Sequence, residues 1–290
     1  MLKNSQTILI IRSNITNSNN TRFEYKFNGT VLLKSQQIAI SKISMYYSWY
    51  NISSSNNNNT FVYTWTDANG NFTVNNTVKI PDGNYSITDL NLYLKAVMLQ
   101  NGHYTGTKSA PTYYINLDDN PTYYCFRITF TALPVSGSTV VKGSSSWAYP
   151  TVSSCPKITI LSSNNFYKIL GFSPAVYPLS NLVNDPNNLV NIKVNGNLCP
   201  EISPHTSLIF RSNMCKNNYS YPTDILLSGF SQGMSFFGEL LTYEPANLQF
   251  SPITDGSYNI LTIDVCNQDL SNNLKIIDPQ ILISVVICDI

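Results

Sequence analysis

Two histidines and one pair of adjacent carboxylates are the residues best suited to acid–base or metal chemistry. His103 lies in NGHY, directly after a predicted helix, and His205 lies in ISPHTS beside a proline. A general base must lie within hydrogen-bond reach of its partner, and neither local sequence supplies a nucleophile for such a pair. Asp118 and Asp119 are chain neighbours, so in a strand they would point to opposite faces. In a loop they could share a cation, but no third ligand lies at a suitable spacing. These residues predict no catalytic centre and no metal site.

Short catalytic motifs and cysteine pairs give no further chemistry. Residues 229–238, GFSQGMSFFG, resemble a nucleophile elbow only loosely, because no helix is predicted to follow them. The six cysteines form no C-x-x-C pair, and no histidine lies at a zinc spacing from them: they are Cys125, Cys155, Cys199, Cys215, Cys266 and Cys288. Cys199 and Cys215 flank a predicted strand and could meet, but free thiols are favoured. We expect no cofactor, no metal and no enzymatic activity.

One stretch has the period of a helix, residues 80–104, IPDGNYSITDLNLYLKAVMLQNGHY. Ser86 or Thr88 can cap its start, and Asp89 stabilises the positive end of the helix dipole. Gly102 is a typical C-terminal stop. We therefore predict one main helix at about 86–101. Apolar side chains recur on one face at helical spacing: Leu90, Tyr93, Leu94, Val97 and Met98.

Turn residues punctuate the rest of the chain. Pro81-Asp82-Gly83 predicts a turn before the helix, in which proline sets φ and glycine takes a positive φ. Asn28-Gly29 and Ala68-Asn69-Gly70 are hairpin signals between alternating strands. A short second helix is predicted at Phe166 to Leu170. Strands separated by turns throughout predict an all-β sandwich or barrel with one inserted helix.

Composition excludes some classes of function. Charged residues make up only 11%, well below the usual share of about a quarter, while the chain has 37 Asn and 19 Tyr. A net charge of +1 without a basic block predicts no specific nucleic-acid binding. The sequence has no apolar run of 18 residues, so it predicts no transmembrane segment. Low charge with abundant tyrosine is typical of surfaces that are buried against neighbouring subunits.

Four segments, in order, resemble the penton (minor capsid, vertex) proteins of virophages and related Polinton/Maverick elements. They are VKIPDGNYSITDLNLYLKAVMLQNGHY, FYKILGFSPAVYP, PEISPHTSLIFRSNMCKNNYSYPTDILLSGF and FSPITDGSYNILTIDVCNQDLSNNLKIIDPQILISVVI. The order and spacing agree from about residue 28 to 289, and residues 103 to 160 carry no matching motif. The motif residues carried over from the resemblance are Pro81, Asp82, Gly83, Tyr85, Leu90, Asn91, Leu94, Gly171, Phe172, Pro178, Asp255, Gly256, Asp278 and Pro279.

The resemblance implies a single jelly-roll sandwich over 28–290, preceded by an N-terminal arm and polar loop at 1–27. An outer subdomain would be inserted within about 103–205. Independently of the resemblance, the Gly-, Ser- and Pro-rich composition of residues 133–156 predicts a long surface excursion or the edge of an inserted subdomain. The implied function is a structural protein of the virion that forms homopentamers at the five-fold vertices of an icosahedral capsid. The implied partners are a double jelly-roll major capsid protein and possible host or giant-virus surfaces, and assembly would take place in the host cytoplasm.

A second hypothesis is a β-sandwich that binds carbohydrate or a receptor. Its candidate contact residues are Trp49, Trp65 and Trp147. This hypothesis allows a monomer and needs exposed aromatic rings, whereas the capsid hypothesis needs a symmetric oligomer with large interfaces. The exposure of the tryptophans in the folded chain therefore separates the two.

Overall fold

The computed structural model describes residues 6–12, 17–179, 191–233, 235–271 and 274–290. It divides the chain into two compact units, one formed by residues 1–50 and 205–290 and the other by residues 51–204. The first unit opens with β1 (Gln6–Arg12), β2 (Arg22–Leu33) and β3 (Gln36–Tyr46).

The second unit holds both helices of the described residues. Its elements are β4 (Thr60–Thr66), β5 (Phe72–Lys79), α1 (Ile87–Gln100), β6 (Thr105–Thr107), β7 (Ala110–Thr112), β8 (Ile115–Asn120), a 3-10 turn at Pro121–Tyr123, β9 (Cys125–Thr131), β10 (Lys157–Ile160), α2 (Phe166–Leu170), β11 (Ala175–Tyr177) and β12 (Asn191–Asn195). The chain then returns to the first unit with β13 (Leu208–Ser212), β14 (Ile225–Phe230), β15 (Leu240–Tyr243), β16 (Ser251–Pro252), β17 (Gly256–Asn267) and β18 (Leu282–Asp289).

The first unit is a jelly roll. Its strands pair antiparallel in a nested order, β1 with β18, β2 with β17, β3 with β15, and β13 with β14. The resulting sheets have the orders β1-β18-β3-β15 and β14-β13-β17-β2, and β16 adds a short pairing to β3. Eight strands wound in this way into two facing sheets are the jelly-roll arrangement. The prediction of an all-β jelly roll is confirmed.

Alternation of side chains builds the core of the roll. Leu9, Val285 and Ile40 lie in one row across three strands, and all three are buried. Their chain neighbours point to the other face, as the two-residue period of a strand requires. The second sheet adds Phe23 and Phe210 to the same core.

The N-terminal segment is built differently from the predicted arm. β1 belongs to a sheet of the roll, and β2 begins at Arg22, inside the segment predicted as arm and loop. Residues 1–5 and 13–16 lie outside the described residues. The hairpin predicted at Asn28-Gly29 is wrong, because β2 runs through these two residues. Gly29 has φ +102° where the pairing of β2 with β17 loses its register, so the glycine forms a bulge instead of a turn.

The second unit is inserted between the third and fourth strands of the roll, β3 and β13. It begins at residue 51, well before the 103 predicted for the inserted region, and it ends at 204, one residue from the predicted end. The early boundary arises because β4, β5 and α1 pack into the core of the second unit. That unit contains the sheets β11-β10-β4-β5 and β12-β9-β8 and the hairpin β6-β7.

The main helix lies where it was predicted. Ser86 is its N-cap, and it forms a capping box with Asp89. The Asp89 backbone amide donates to the Ser86 side chain, and the Ser86 backbone amide donates to the Asp89 side chain. Leu90, Leu94 and Met98 are buried in the core of the second unit. The short helix α2 also has its predicted bounds. The main helix therefore packs within its own unit.

Candidate assembly surface

His103 is a buried structural group. Its ring stacks on Trp65 at a centroid distance of 4.9 Å, and its Nδ1 lies 2.8 Å from the Tyr63 hydroxyl. The Asn101 amide donates to the same hydroxyl at 2.8 Å. Burial lowers the pKa of His103 to about 4 and raises the pKa of Tyr63 to about 12. Both groups are therefore neutral near pH 7, and no nucleophile is paired with this histidine.

The chain around His103 is fixed by the end of α1. The His103 amide donates to the Met98 carbonyl at 2.8 Å, and Gly102 has φ +70°. The Trp147 indole donates to the Gly102 carbonyl at 2.8 Å, while a Cβ on Gly102 would lie 2.6 Å from the Ser144 Cβ. This glycine is therefore required both for its backbone angle and for space.

The other residues considered for catalysis or metal binding do not come together in one site either. Among the described residues, no group of three His, Cys, Asp or Glu side chains could hold a metal ion. His205 is buried, and burial lowers its pKa against the opposing effect of Asp269. Asp118 and Asp119 are consecutive residues of β8 and face opposite sides, as predicted. All six cysteines are free thiols, so Cys199 and Cys215 are not paired.

The segment that resembles a nucleophile elbow does not form one. Residues 229–233, GFSQG, do match the spacing G-x-S-x-G, and they follow β14. The next element is β15, a strand, whereas an elbow leads into a helix. The Ser231 hydroxyl accepts from the Gly233 amide at 3.1 Å and so closes a local turn.

The tryptophans named for carbohydrate binding are all buried. Trp49, Trp65 and Trp147 each expose 2% of their surface or less. Trp65 and Trp147 pack edge to face at 5.3 Å in the core of the second unit. They therefore offer no ring on which a sugar could stack.

The predicted excursion at 133–156 contributes to that core as well. Leu133, Trp147 and Cys155 are almost fully buried. The Tyr149 hydroxyl donates to the Val140 carbonyl at 2.8 Å, and the Lys142 ammonium lies over the Trp147 ring at 5.4 Å. The segment is therefore tied down at several points, and Val140 and Val141 remain exposed between them.

The described residues of the first unit include two exposed apolar surfaces near strands of one sheet. The first, which we call the β1 ridge, consists of Ile8 and Ile10, with 64% and 48% of their surfaces exposed. Their neighbours Leu9 and Ile11 are buried in the roll, so the ridge follows directly from the alternation of β1. Among the described residues, β1 pairs with β18 alone, which leaves its other edge open.

β1 has few of the features that usually protect an open strand edge. Such edges are normally protected by charged residues, proline, bulges or short length. Residues 6–11 of β1, QTILII, contain no charge, proline or glycine, and Arg12 at the end of the strand is its one charged residue. The other edge strands of the roll do carry such features. β2 has Glu24 and Lys26 and a bulge, β14 has two irregularities of register, and β15 has only four residues.

The second surface, which we call the aromatic pocket, is a cavity of about 470 Å³ in the first unit. It is lined by Tyr46, Ser48, Phe237, Gly238, Ile277 and Asp278. Phe236 and Leu240 are exposed beside it, and Leu240 is the cross-strand partner of Tyr46. Exposed apolar side chains grouped around a concavity are typical of interaction sites.

Backbone pairing at the end of β3 shapes the aromatic pocket. The Tyr47 amide donates to the Glu239 carbonyl and the Gly238 amide donates to the Tyr47 carbonyl, each at 2.8 Å. Phe237 stacks on Tyr50 at 6.1 Å. On the other side, the Ile277 amide donates to the Ser48 carbonyl at 2.9 Å. Two loops are thus held against one strand end with their apolar side chains outward.

The motif residues before α1 hold the turn at residues 81–85 against the loop that contains Asn51 and Ser54. Asp82 accepts from the Ser54 amide at 2.8 Å and from its hydroxyl at 3.0 Å. Gly83 does not have the predicted positive φ. It is needed instead because a Cβ would lie 2.8 Å from the Tyr85 ring. The Tyr85 amide donates to Asn51 Oδ1 at 2.9 Å, and Pro81 lies in the same exposed turn.

The motif residues of the helix face two kinds of neighbour. Leu90 and Leu94 are buried in the core of the second unit. Asn91 accepts from the Leu117 amide at 2.9 Å, so it satisfies a donor on β8, the edge strand of its sheet. The helix thereby covers an edge that would otherwise be open.

The remaining motif residues of the second unit surround the end of α2. Gly171 is the C-cap with φ +70°, and a Cβ there would lie 2.6 Å from the Leu198 carbonyl oxygen. Phe172 is fully buried and packs edge to face on Tyr177 at 5.2 Å. Pro178 follows through a cis peptide bond.

The last four motif residues lie in the roll. Asp255 accepts from the Ser35 amide at 3.0 Å, and Gly256 begins β17. The nearest atoms to a Cβ on Gly256 would be 3.6 Å away, so nothing in the fold requires glycine there. Asp278 accepts from the Gln280 amide at 2.8 Å across Pro279. The motif residues are thus divided between the two units and do not form one site.

Sequence reasoning missed a set of buried asparagines. The Asn51 amide donates to the carbonyls of Tyr85 and Ile202 at 2.7 and 2.9 Å. Asn58 donates to the Asn51 carbonyl at 2.8 Å, and Asn164 donates to the Thr60 carbonyl at 2.8 Å. The sequence feature that could have indicated them is the clustering of asparagines between predicted strands, because the asparagine side chain readily forms hydrogen bonds with backbone groups in turns.

The nested strand pairing and the two-sheet core define the first unit as a jelly roll, a fold shared by many viral capsid proteins. Among solved structures, the chain is similar to the crystal structure of the selenomethionine-labelled mavirus penton protein, with a TM-score of 0.51 and 10% identity. The similarity covers 99% of this chain and 99% of that chain. The chain therefore has the fold of the mavirus penton protein.

A second virophage structure shows weaker similarity. A chain in the cryo-electron microscopy structure of the Sputnik virophage is similar with a TM-score of 0.41 and 11% identity over 98% of this chain and 97% of that one. No protein-family profile and no curated protein sequence matches the chain. Among the described residues, no helix has the length and apolar character needed to cross a membrane.

Proposed function

We propose that the chain is a structural capsid protein that forms homopentamers at the five-fold vertices of an icosahedral virus particle. The observation that carries this proposal is the similarity to the mavirus penton protein, which extends over 99% of both chains and so includes the inserted second unit as well as the roll. A match confined to the roll would be much less informative, because jelly rolls serve many functions.

The surface of the chain supports an assembly role. The β1 ridge and the aromatic pocket expose apolar groups that a soluble monomer would normally bury. Tyrosines are also exposed in two loops, Tyr123 with Tyr124 and Tyr219 with Tyr221. With only 11% charged residues, the chain has little charge to oppose close packing against neighbours.

Its partners would be further copies of itself and the double jelly-roll major capsid protein that surrounds each vertex. The protein acts in the virion, after assembly in the host cytoplasm, and without a catalytic step, cofactor or specific nucleic-acid contact. The protein functions through its shape and through repeated contacts between subunits. Because many weak contacts add up in a closed shell, each single interface needs only modest strength.

The exposed tyrosine loops are the best candidates for contact with a host or giant-virus surface. The carbohydrate-binding alternative is not supported by the residues named for it, because all three tryptophans are buried. A reconstruction of purified particles tests the proposal. This chain must fill the density at the five-fold positions, and its absence there, or its presence only in trimeric capsomers, would exclude the vertex role.

A further inference from the structure

The β1 ridge and the aromatic pocket lie on different strands of the same sheet, because the pocket is built at the end of β3. Ile10 is aligned through Ser284 of β18 with Lys42 of β3, so Tyr46 lies two strand spacings across the sheet and four residues further along β3, roughly 16 Å away. The ridge of one chain therefore cannot reach the pocket of that chain. Any contact between the two surfaces must join two molecules.

The two surfaces complement each other in chemistry. The ridge is a pair of branched aliphatic side chains on an uncharged strand segment, while the pocket is a cavity of about 470 Å³ walled mainly by Tyr46, Phe237 and Ile277. A cavity of this size accommodates an isoleucine side chain. Apolar anchors seated in such pockets are the contacts that dominate binding at protein interfaces.

We infer that Ile8 and Ile10 of one subunit dock into the aromatic pocket of the next copy of the same chain. The inference rests on the proposed homopentamer and assigns its subunit interface. Contact between two different surfaces is head-to-tail, so each added copy presents a fresh ridge or pocket until the ring closes. A symmetric dimer would instead bring two β1 edges together and leave both pockets open.

The ridge is suited to a direct test because its side chains are exposed in the single chain. The double variant I8D/I10D should keep the circular dichroism spectrum and thermal midpoint of the parent, while self-association in sedimentation equilibrium weakens about 30-fold, the effect of losing a strong anchor. Leu92→Asp, at an exposed position of α1, is the matched control and should associate like the parent. Unchanged association of I8D/I10D, or a parent that stays monomeric at millimolar concentration, would overturn the inference.

Disulfide trapping tests the pairing itself. Ile10→Cys and Phe236→Cys are introduced together in a Cys199→Ser background, which removes the exposed native thiol. Oxidation should then produce a covalent ladder that stops at five chains. Val74→Cys in place of Ile10→Cys puts the thiol at an exposed position of β5 and should give no ladder.

The outcomes separate this inference from the proposed function. Rings that form without cross-links, or a covalent dimer from Ile10→Cys alone, would overturn the docking of the ridge and leave the vertex role standing. Absence of the chain from five-fold density would instead refute the vertex role. A ladder that stops at five chains supports both.

Discussion

The hydroxyl of Tyr63 lies 2.8 Å from Nδ1 of His103, inside the core of the second unit. Burial holds the pKa of His103 at about 4, whereas in the unfolded chain the pKa returns to about 6.5. Below pH 6.5 the unfolded state therefore binds a proton that the folded state does not. The free energy of unfolding must fall as the pH drops from 6.5 towards 4, where the loss levels off.

We expect this histidine to cost the protein about 2 kcal/mol of unfolding free energy between pH 7 and pH 5. Urea titrations at the two pH values, followed by tryptophan fluorescence, measure the loss. In His103→Phe the loss should be smaller by that amount, while the contribution of His205, whose pKa is also lowered, remains. An equal pH dependence in parent and variant would show that His103 is not held neutral.

Leu94→Asp should unfold the second unit. Leu94 is fully buried in the middle of α1, and an unpaired carboxylate there would cost about 4 kcal/mol or more. Leu92→Asp is the matched control, since Leu92 lies on the same helix with 58% of its surface exposed. Thermal unfolding followed by circular dichroism should show a large loss for the first variant and little change for the second. Equal stability of the two variants would mean that the helix does not dock by this face.

Asn51→Ala should destabilise the junction between the loops of the second unit. The substitution leaves three backbone groups of Tyr85 and Ile202 without their partner, at a cost of about 3 kcal/mol. Asn51→Asp should be worse, because it turns a carboxylate oxygen towards two carbonyls. Asn69→Ala, at an exposed loop position, is the control. Urea unfolding that ranks Asp as milder than Ala would contradict this hydrogen-bond assignment.

Two glycines among the motif residues should respond differently to alanine. Gly171 has φ +70°, and the Cβ of an alanine there would lie 2.6 Å from the Leu198 carbonyl oxygen, so Gly171→Ala should cost about 3 kcal/mol. Gly256 has neither a positive φ nor a close neighbour, so Gly256→Ala should change stability by less than about 1 kcal/mol. Thermal midpoints of the two variants decide the matter, and similar midpoints would refute the packing described at the end of α2.

Local features of the fold could be predicted from the sequence. The capping box at Ser86, the apolar stripe through Leu94 and the stop at Gly102 all act within a few residues, so α1 was found almost to the residue. The buried asparagines were missed, because their partners, such as Ile202 for Asn51, are far away in the chain.

Long-range features could not be predicted from local pattern. The partner strand of β1 is β18, at the other end of the chain, and no local signal specifies the register of that pairing. Asn28-Gly29 has the residues of a hairpin turn, but pairing with β17 continues on both sides of it, so the glycine lies in a bulge within one strand. The second unit begins at residue 51 because β4 packs into the core of that unit and not into the core of the roll. This choice between two cores is made by tertiary packing, so local sequence does not reveal it.

The proposed role of this chain is to close the five-fold vertices of a capsid. The most direct test is cryo-electron microscopy of purified particles, with the first and second units fitted separately into the density at the icosahedral vertices. We expect five copies around each vertex, with the side chains of Trp49, Trp65 and Trp147 resolved inside their cores. Vertex density that fits a different chain, while this chain lies elsewhere or is missing from the particle, would contradict the proposed role.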